Sequence, residues 1–312
     1  MELRQLRYFA AIAHHGSFSK AAESVFVAQS ALSHQVAQLE AELGARLLHR
    51  LPRGVTLTES GRAFLPHALS MIRQENDARA SVRGPIDQPA GKVVFGVPPS
   101  ICGVFALPLL QAVRRALPMV DFELTEELSG SLAAQLRAGT LDLAVLLDDG
   151  ELDQYRWQAL LEERLYLISG AGRDGAVAAR GITLRKALAM PLLLPRAGQG
   201  VRPILEAAAQ GHGLPPPHVV GEINSVTILR STLQAGIGHT IQALSAFKSD
   251  IETGLLRATP VRSPEIARGL ATCHSRNVPL SSAAAAVLAL AREVAKGLVA
   301  DKAWPGAKWQ GG

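Results

Sequence analysis

Ser17-Phe18-Ser19-Lys20-Ala21-Ala22-Glu23-Ser24-Val25-Phe26-Val27-Ala28-Gln29-Ser30-Ala31-Leu32-Ser33-His34-Gln35-Val36-Ala37-Gln38-Leu39-Glu40-Ala41-Glu42-Leu43 is the stretch on which the reading of this chain turns. Ser17 can cap a short helix over Phe18–Ser24, because its hydroxyl accepts a hydrogen bond from a free first-turn N–H. Val25–Ala28 breaks the pattern, and a second helix starts at Gln29 or Ser30. At about 100° per residue, Leu32, Val36, Leu39 and Leu43 fall within about 60° of one another, which predicts one narrow core stripe. The opposite face carries Ser30, Ser33, His34, Ala37 and Gln38, with Gln35 on its flank, and no charged residue occurs from Ser24 to Leu39. Such a face suits either plain solvent or hydrogen bonding to base edges in a DNA major groove.

The neighbouring residues separate those two readings. Leu47-Leu48-His49-Arg50-Leu51-Pro52-Arg53-Gly54-Val55-Thr56-Leu57 reads as two short strands around a Pro-Arg-Gly turn, a β-wing. Arg46, Arg50 and Arg53, with His49, stand there with no acid between Leu43 and Thr58. Arginines in a wing pair with phosphates or enter a minor groove, supplying affinity and register while the helix supplies specificity. Helix, turn, helix and basic wing together predict a winged helix-turn-helix.

Thr58 can cap a third long helix running to about Arg83, with Leu65, Ala68, Leu69, Ile72 and Val82 as an apolar stripe that needs a partner. Pro66 lies inside it, where the missing N–H and ring crowding cost about 3 kcal/mol in a regular helix, so a kink or a late start is expected. Gly84-Pro85-Ile86-Asp87-Gln88-Pro89-Ala90-Gly91 is linker punctuation. Beyond it, strand-like runs at Lys92–Val97, Val120–Glu126 and Leu141–Leu147 alternate with helical ones at Ile101–Ala116 and Ser131–Ala138. The alternation recurs with strands at Arg164–Ser169, Pro191–Leu194, Val219–Ile223 and His239–Leu244 and helices at Val201–Gln210 and Val226–Gln234. Alternation predicts βαβ units with a parallel sheet covered on both faces, in two α/β halves with a cleft between them. The expected division is an all-α-type reading domain over 1–58, a linker helix and hinge over 59–90, and an α/β domain of two subdomains over 91–312.

The 312 residues exceed one typical domain of roughly 100–200 residues. A content of 48% hydrophobic and 19% charged residues excludes a disordered or fibrous chain. A net charge of +5 is too small to name a partner. Cys102 and Cys273 form no CxxC, and no apolar run approaches the ~18 residues of a membrane span, so the expected setting is a reducing cytoplasm with no membrane, metal or cofactor.

Leu6-Arg7-Tyr8-Phe9, Gly16-Ser17-Phe18-Ser19-Lys20-Ala21-Ala22, Gln29-Ser30-Ala31-Leu32-Ser33, Leu39-Glu40-Ala41-Glu42-Leu43-Gly44, Leu47-Leu48-His49-Arg50 and Leu57-Thr58-Glu59-Ser60-Gly61 together resemble the N-terminal signature of LysR-type transcriptional regulators. Family members usually carry proline where Ser30 stands and phenylalanine where Leu48 stands. The resemblance implies a sequence-specific regulator that binds double-stranded promoter DNA as a dimer or tetramer and, where it activates, touches RNA polymerase. Gln29, Ser30, Ser33, His34 and Gln35 would face bases or phosphates, with Ser17, Arg50 and Arg53 on the backbone or in the minor groove. Looser motifs, Leu128-Ser129-Gly130-Ser131, Gly139-Thr140-Leu141-Asp142-Leu143-Ala144-Val145 and Ala235-Gly236-Ile237-Gly238, are similar to the family's effector-binding region, folded like periplasmic binding proteins. Ser100, Ser129, Ser131, Arg196 and Gln199 are then the effector positions, and helix N-termini there favour an anionic small molecule. Glu127–Leu132 also resembles the nitrogen assimilation control branch, whose members act without a co-inducer.

The competing class is a cytosolic small-molecule-binding or enzymatic α/β protein with an incidental helical N-terminus. Gly170-Ala171-Gly172-Arg173-Asp174-Gly175 matches GxGxxG, but no acid occurs between Gly175 and Leu205 to hold a ribose, so it reads as a loop. No GxxxxGK[ST], HExxH or GxSxG string is present, and the chain reads as no enzyme.

Overall fold

Three helices, α1 (Leu3–His15), α2 (Phe18–Ser24) and α3 (Gln29–Leu43), close around Phe9, Ile12, Leu32, Val36 and Leu39. Ser17 caps α2, its Oγ accepting from Lys20 N at 3.4 Å. Leu43, expected in the α3 stripe, is 37% exposed, because α3 ends at Gly44 and the following Leu47 and Leu48 fill the core instead. Strands β1 (Leu48–Leu51) and β2 (Gly54–Leu57) pair antiparallel, Leu48 opposite Leu57 and Leu51 opposite Gly54. Val55 N donates to Gly16 O at 2.8 Å, and Gly54, at φ +131°, passes so close that a Cβ would lie 2.7 Å from the same oxygen. This computed structural model describes residues 1–51, 54–81, 88–171 and 181–311. Arg53, the hinge run from Val82 to Asp87, and Gly172 to Gly175 of the glycine-rich run lie outside the described residues.

Helix α4 (Glu59–Ser81) starts directly after Thr58, whose Oγ1 accepts from Gly61 N at 2.9 Å and donates to Arg46 O at 2.6 Å. The late start expected from Pro66 does not occur, and the helix is continuous through it. Gly61 is required here, since a Cβ would meet Leu47 O at 2.0 Å. One face of α4, with Phe64, Leu65, Ala68 and Ile72, completes the three-helix core. The other reaches the α/β region, where Arg73 bonds the Asp142 carboxylate and the Gly139 carbonyl. Asp142 Oδ2 also accepts from Val94 N at 2.8 Å, and burial pushes its pKa up, against the pull of Arg73.

In the α/β region β3 (Gly91–Val97), α5 (Pro99–Ala116), β4 (Val120–Glu126), α6 (Ser129–Ala138) and β5 (Leu143–Leu147) form the first lobe, with β3 parallel to both β4 and β5. The long strand β6 (Tyr155–Gly170, 16 residues) follows. The second lobe contains β7 (Ile182–Thr183), α7 (Leu184–Leu188), β8 (Leu192–Leu194), α8 (Arg202–Gly211), β9 (Val219–Glu222), α9 (Val226–Gln234), β10 (Thr240–Ala243), α10 (Lys248–Glu252) and β11 (Leu256–Arg262). Strand β12 (Ala267–Ser275) returns to the first lobe, where α11 (Ser282–Ala300) and β13 (Ala307–Trp309) end the fold.

The sheet is mixed rather than parallel. Strands run in the order β4-β3-β5-β12-β6-β11-β7, and β6 is antiparallel to β10, β11, β12 and β13. Periodicity reports which side chains are buried but not strand direction, which explains the difference. The first half of β6 packs Leu160 and Leu161 with Phe95, Phe105 and Trp304 in the first lobe. Its second half packs Leu165 and Leu167 with Leu192, Leu205 and Ile241 in the second. Strand β6 and the β11–β12 segment therefore cross between lobes, and the cleft lies where they cross.

Candidate nucleic-acid interface and inter-lobe cleft

The exposed side of α3 presents Gln29, Ser30 and His34 to solvent, with Ser33 and Gln35 half-buried at its edge. Ala28 is the N-cap residue and has no side-chain cap bond, so the first-turn N–H groups of α3 stay open. Gln29 is held from α2, its Oε1 accepting from the Ser19 hydroxyl at 3.3 Å. His34 and Gln38, one turn apart, touch through Nε2 atoms 3.1 Å apart. Arg50 of the wing stacks 4.5 Å over the Phe18 ring and donates through Nη2 to Ser33 Oγ at 2.9 Å. The wing and α3 are thus joined by one side chain, which is held in place by a cation–π contact. Ser17 Oγ accepts from its own helix, which uses a lone pair and not its O–H donor.

Two residues of this face escaped the sequence reading. Glu40 Oε1 accepts from Leu47 N at 2.7 Å and Leu48 N at 3.1 Å, which sets how the wing leaves α3. Its signal was an acid at a half-buried helix position. Phe26 is 95% exposed at φ +56°, in the turn between α2 and α3. No periodicity marks it, because a turn has none.

Between the lobes lies a cleft of about 240 Å³. Helices α5 and α6 point their N-termini at it, and both start from residues without capping side chains, Pro98 and Leu128. Helix α9 also opens there but is capped by its own Ser225, whose Oγ accepts from Ile228 N at 3.3 Å. Of the sequence-derived positions, Ser100, Ser129 and Gln199 line the cleft. Ser129 is the first residue of α6, not its cap. Ser131 is exposed outside the lining, its Oγ accepting from Gln135 Nε2 at 3.4 Å. Arg196 is likewise exposed outside it, and its backbone N donates to Asn224 Oδ1 at 2.9 Å.

The floor is built on a buried ion pair. Arg268 Nε and Nη2 donate to Glu163 Oε2 at 2.8 and 2.6 Å, and Nη1 donates to Gln242 Oε1 at 3.2 Å. Glu163 Oε1 accepts from Trp304 Nε1 at 2.8 Å and from the Ser245 hydroxyl, which is also 3.1 Å from Ser100 O. Both crossing strands are therefore pinned at one point, since Glu163 lies on β6 and Arg268 on β12. On the wall, Arg137 donates to the Tyr155 hydroxyl at 2.5 Å and Gln154 Oε1 at 3.2 Å. Burial raises the Tyr155 pKa while Arg137 opposes the rise. Gln242, Arg268, Arg137 and Tyr155 were not found from sequence, where each is an isolated polar residue in an ordinary strand or helix.

Burial pushes both Cys102 and Cys273 up to about 12, so neither thiol ionises near neutrality. Among the described residues no group of His, Cys, Asp or Glu could hold a metal ion, and no helix is long and apolar enough to cross a membrane.

Comparison with known proteins agrees with this layout. The family described as bacterial regulatory helix-turn-helix protein, lysR family, matches residues 3–62, and the LysR substrate binding domain matches residues 87–296. The nitrogen assimilation regulatory protein nac of Klebsiella aerogenes is 37% identical over 250 residues, 80% of each chain. A full-length OxyR variant from Pseudomonas aeruginosa superposes with a TM-score of 0.75 at 22% identity, over 95% of each chain. Full-length CbnR complexed with its target DNA superposes at 0.64 and 23% identity, over 95% of this chain and 99% of that one.

Proposed function

The chain belongs to the LysR family of bacterial helix-turn-helix transcriptional regulators, and from that premise we propose that it binds promoter DNA in the cytoplasm as a symmetric oligomer under the control of a small molecule held in the cleft. Gln29, Ser30, Ser33, His34 and Gln35 read base edges, the open N–H groups at the head of α3 take a phosphate, and Ser17, Arg50 and Arg53 hold the backbone or the minor groove. The observation that carries this reading is the Arg50–Ser33 bond, which locks a phosphate-seeking cation to the middle of an uncharged recognition face. Residues 1–58 form the reader, 59–90 the connecting helix and hinge, and 91–312 the sensor.

Self-association is supported by apolar side chains left exposed on both lobes, Leu107 on α5, Ile228 on α9 and Ile237 just after it. A two-fold dimer would set two copies of α3 on the half-sites of a dyad. Where the bound regulator activates, RNA polymerase is the further partner.

Selection from a random duplex pool tests the reading. A dyad-symmetric sequence should emerge, with affinity that falls steeply as salt rises. Ser33→Leu, which places an apolar branch in the base-reading face, should lose at least about tenfold in affinity for the selected site while nonspecific binding persists. Recovery of no preferred sequence by the parent protein would sink the proposal.

A further inference from the structure

At the cleft floor, Ser100 and Gln242 are only 7% and 5% exposed, yet Ser100 Oγ and Gln242 Nε2 have no hydrogen-bond partner among the described residues. Gln242 Nε2 is a donor, since Gln242 already uses its oxygen for Arg268 Nη1 and Ala243 N, and the Ser100 hydroxyl can donate as well as accept. The uncapped start of α6 adds backbone N–H donors at the same cleft. These donors open into the cleft rather than into the protein interior, so the floor offers hydrogen bonds to an acceptor such as a carboxylate.

The charges nearby do not favour a plain anion. Arg268 is matched by Glu163, and Arg137 is engaged by Tyr155 and Gln154. Asp149 and Glu151 line the same cleft and form no ion pair among the described residues. A simple carboxylic acid would therefore enter a site with two uncompensated carboxylates, whereas a simple amine would leave the floor donors unmet. Leu128, Ile223 and Val226 provide an apolar wall in the same cleft.

Building on the reading of this cleft as the effector site, we propose that it takes a small amino-acid-like zwitterion. Its carboxylate sits on Ser100, Gln242 and the head of α6, its carbon chain lies against the apolar wall, and its ammonium faces Asp149 and Glu151. This sharpens the anionic effector expected from the helix N-termini: the acceptor end is kept, and a cationic end is required as well.

Calorimetric titration of the full-length protein with three probes of similar length tests it: caproate, hexylamine and ε-aminocaproate. The two-ended probe should bind at least about tenfold more tightly than either single-ended one. The double variant Asp149→Asn, Glu151→Gln should erase its advantage over caproate, and Ser100→Ala, which removes only an unpartnered hydroxyl, should reduce its advantage over hexylamine. Caproate binding as tightly as ε-aminocaproate would overturn the ligand class while leaving the cleft a binding site. Binding of none of the three with Kd below about 10 mM would overturn the proposal outright. Neither result touches DNA selection, which is scored separately.

Discussion

Ala28 at the head of α3 and Leu128 at the head of α6 are the same backbone device in two settings. Neither side chain can accept a hydrogen bond, so first-turn N–H groups stay open at both. At α3 the helix end is exposed, and one turn on Ser33 accepts from Arg50 of the wing, in a sequence with no acid between Leu43 and Thr58. At α6 it opens into a cleft whose cations are engaged and whose rim carries Asp149 and Glu151. A helix N-terminus thus sets only a preference for acceptor atoms. The shape and charge around it separate the two partners proposed above, a long polyanion at α3 and a small molecule with two charges at α6.

The strongest way to break this comparison is to remove the support of one region only. Glu163→Ala leaves the Arg268 guanidinium buried without its carboxylate, which should cost about 3–5 kcal/mol. Thermal denaturation should show a lowered α/β transition while the three-helix unit keeps its own. An unchanged melting curve would mean that Arg268 is satisfied some other way.

Arg73→Ala attacks the joint between the regions. Arg73 is the main charge holding down the pKa of Asp142, which burial has already raised, so removing it should push that pKa further up and cost about 1–3 kcal/mol near pH 7. A carboxyl with a raised folded-state pKa costs stability above that pKa, and the cost disappears as pH falls toward the unfolded value of about 3.9. Denaturant titrations of parent and variant should accordingly diverge at neutral pH and converge near pH 4. A gap independent of pH would separate the effect from Asp142.

Arg50→Ala sharpens the comparison on the DNA side. Losing the tether on Ser33 and the phosphate contact proposed for Arg50 should weaken operator binding about tenfold and reduce the slope of log affinity against log salt by about 1. An unaltered slope would place Arg50 off the backbone. The smallest effect is expected at the thiols. With both cysteines up at about 12, iodoacetamide at pH 7.5 should leave the folded protein unmodified over the time in which free cysteine reacts fully, as mass spectrometry would read.

The DNA face was legible because its parts are consecutive in the chain. Ser17 to Leu43 and Leu47 to Leu57 carry cap, turn, stripe and wing within one local pattern, and the structure departs mainly at Leu43. The cleft was less legible. Ser100, Ser129 and Gln199 were reachable from strand ends and helix starts, but Ser131 and Arg196 satisfy the same rule and lie outside the lining. Strand β6 was read only over its apolar second half, since Tyr155-Arg156-Trp157-Gln158 alternates with polar residues. Gln242 and Arg268 become a pair only because β10 and β12 approach from opposite ends of the crossing.

By itself, then, the sequence determined the family, the winged helix-turn-helix and the presence of α/β units, because these rest on spacing within a turn or a strand. Tertiary structure alone decided the antiparallel crossing of β6 and β12, the pinning of both strands by Glu163 and Arg268, and the charge balance of the cleft. Those depend on which distant residues share a buried volume, and in a low-dielectric interior it is the neighbour in space that decides whether a charge or a hydrogen bond is satisfied.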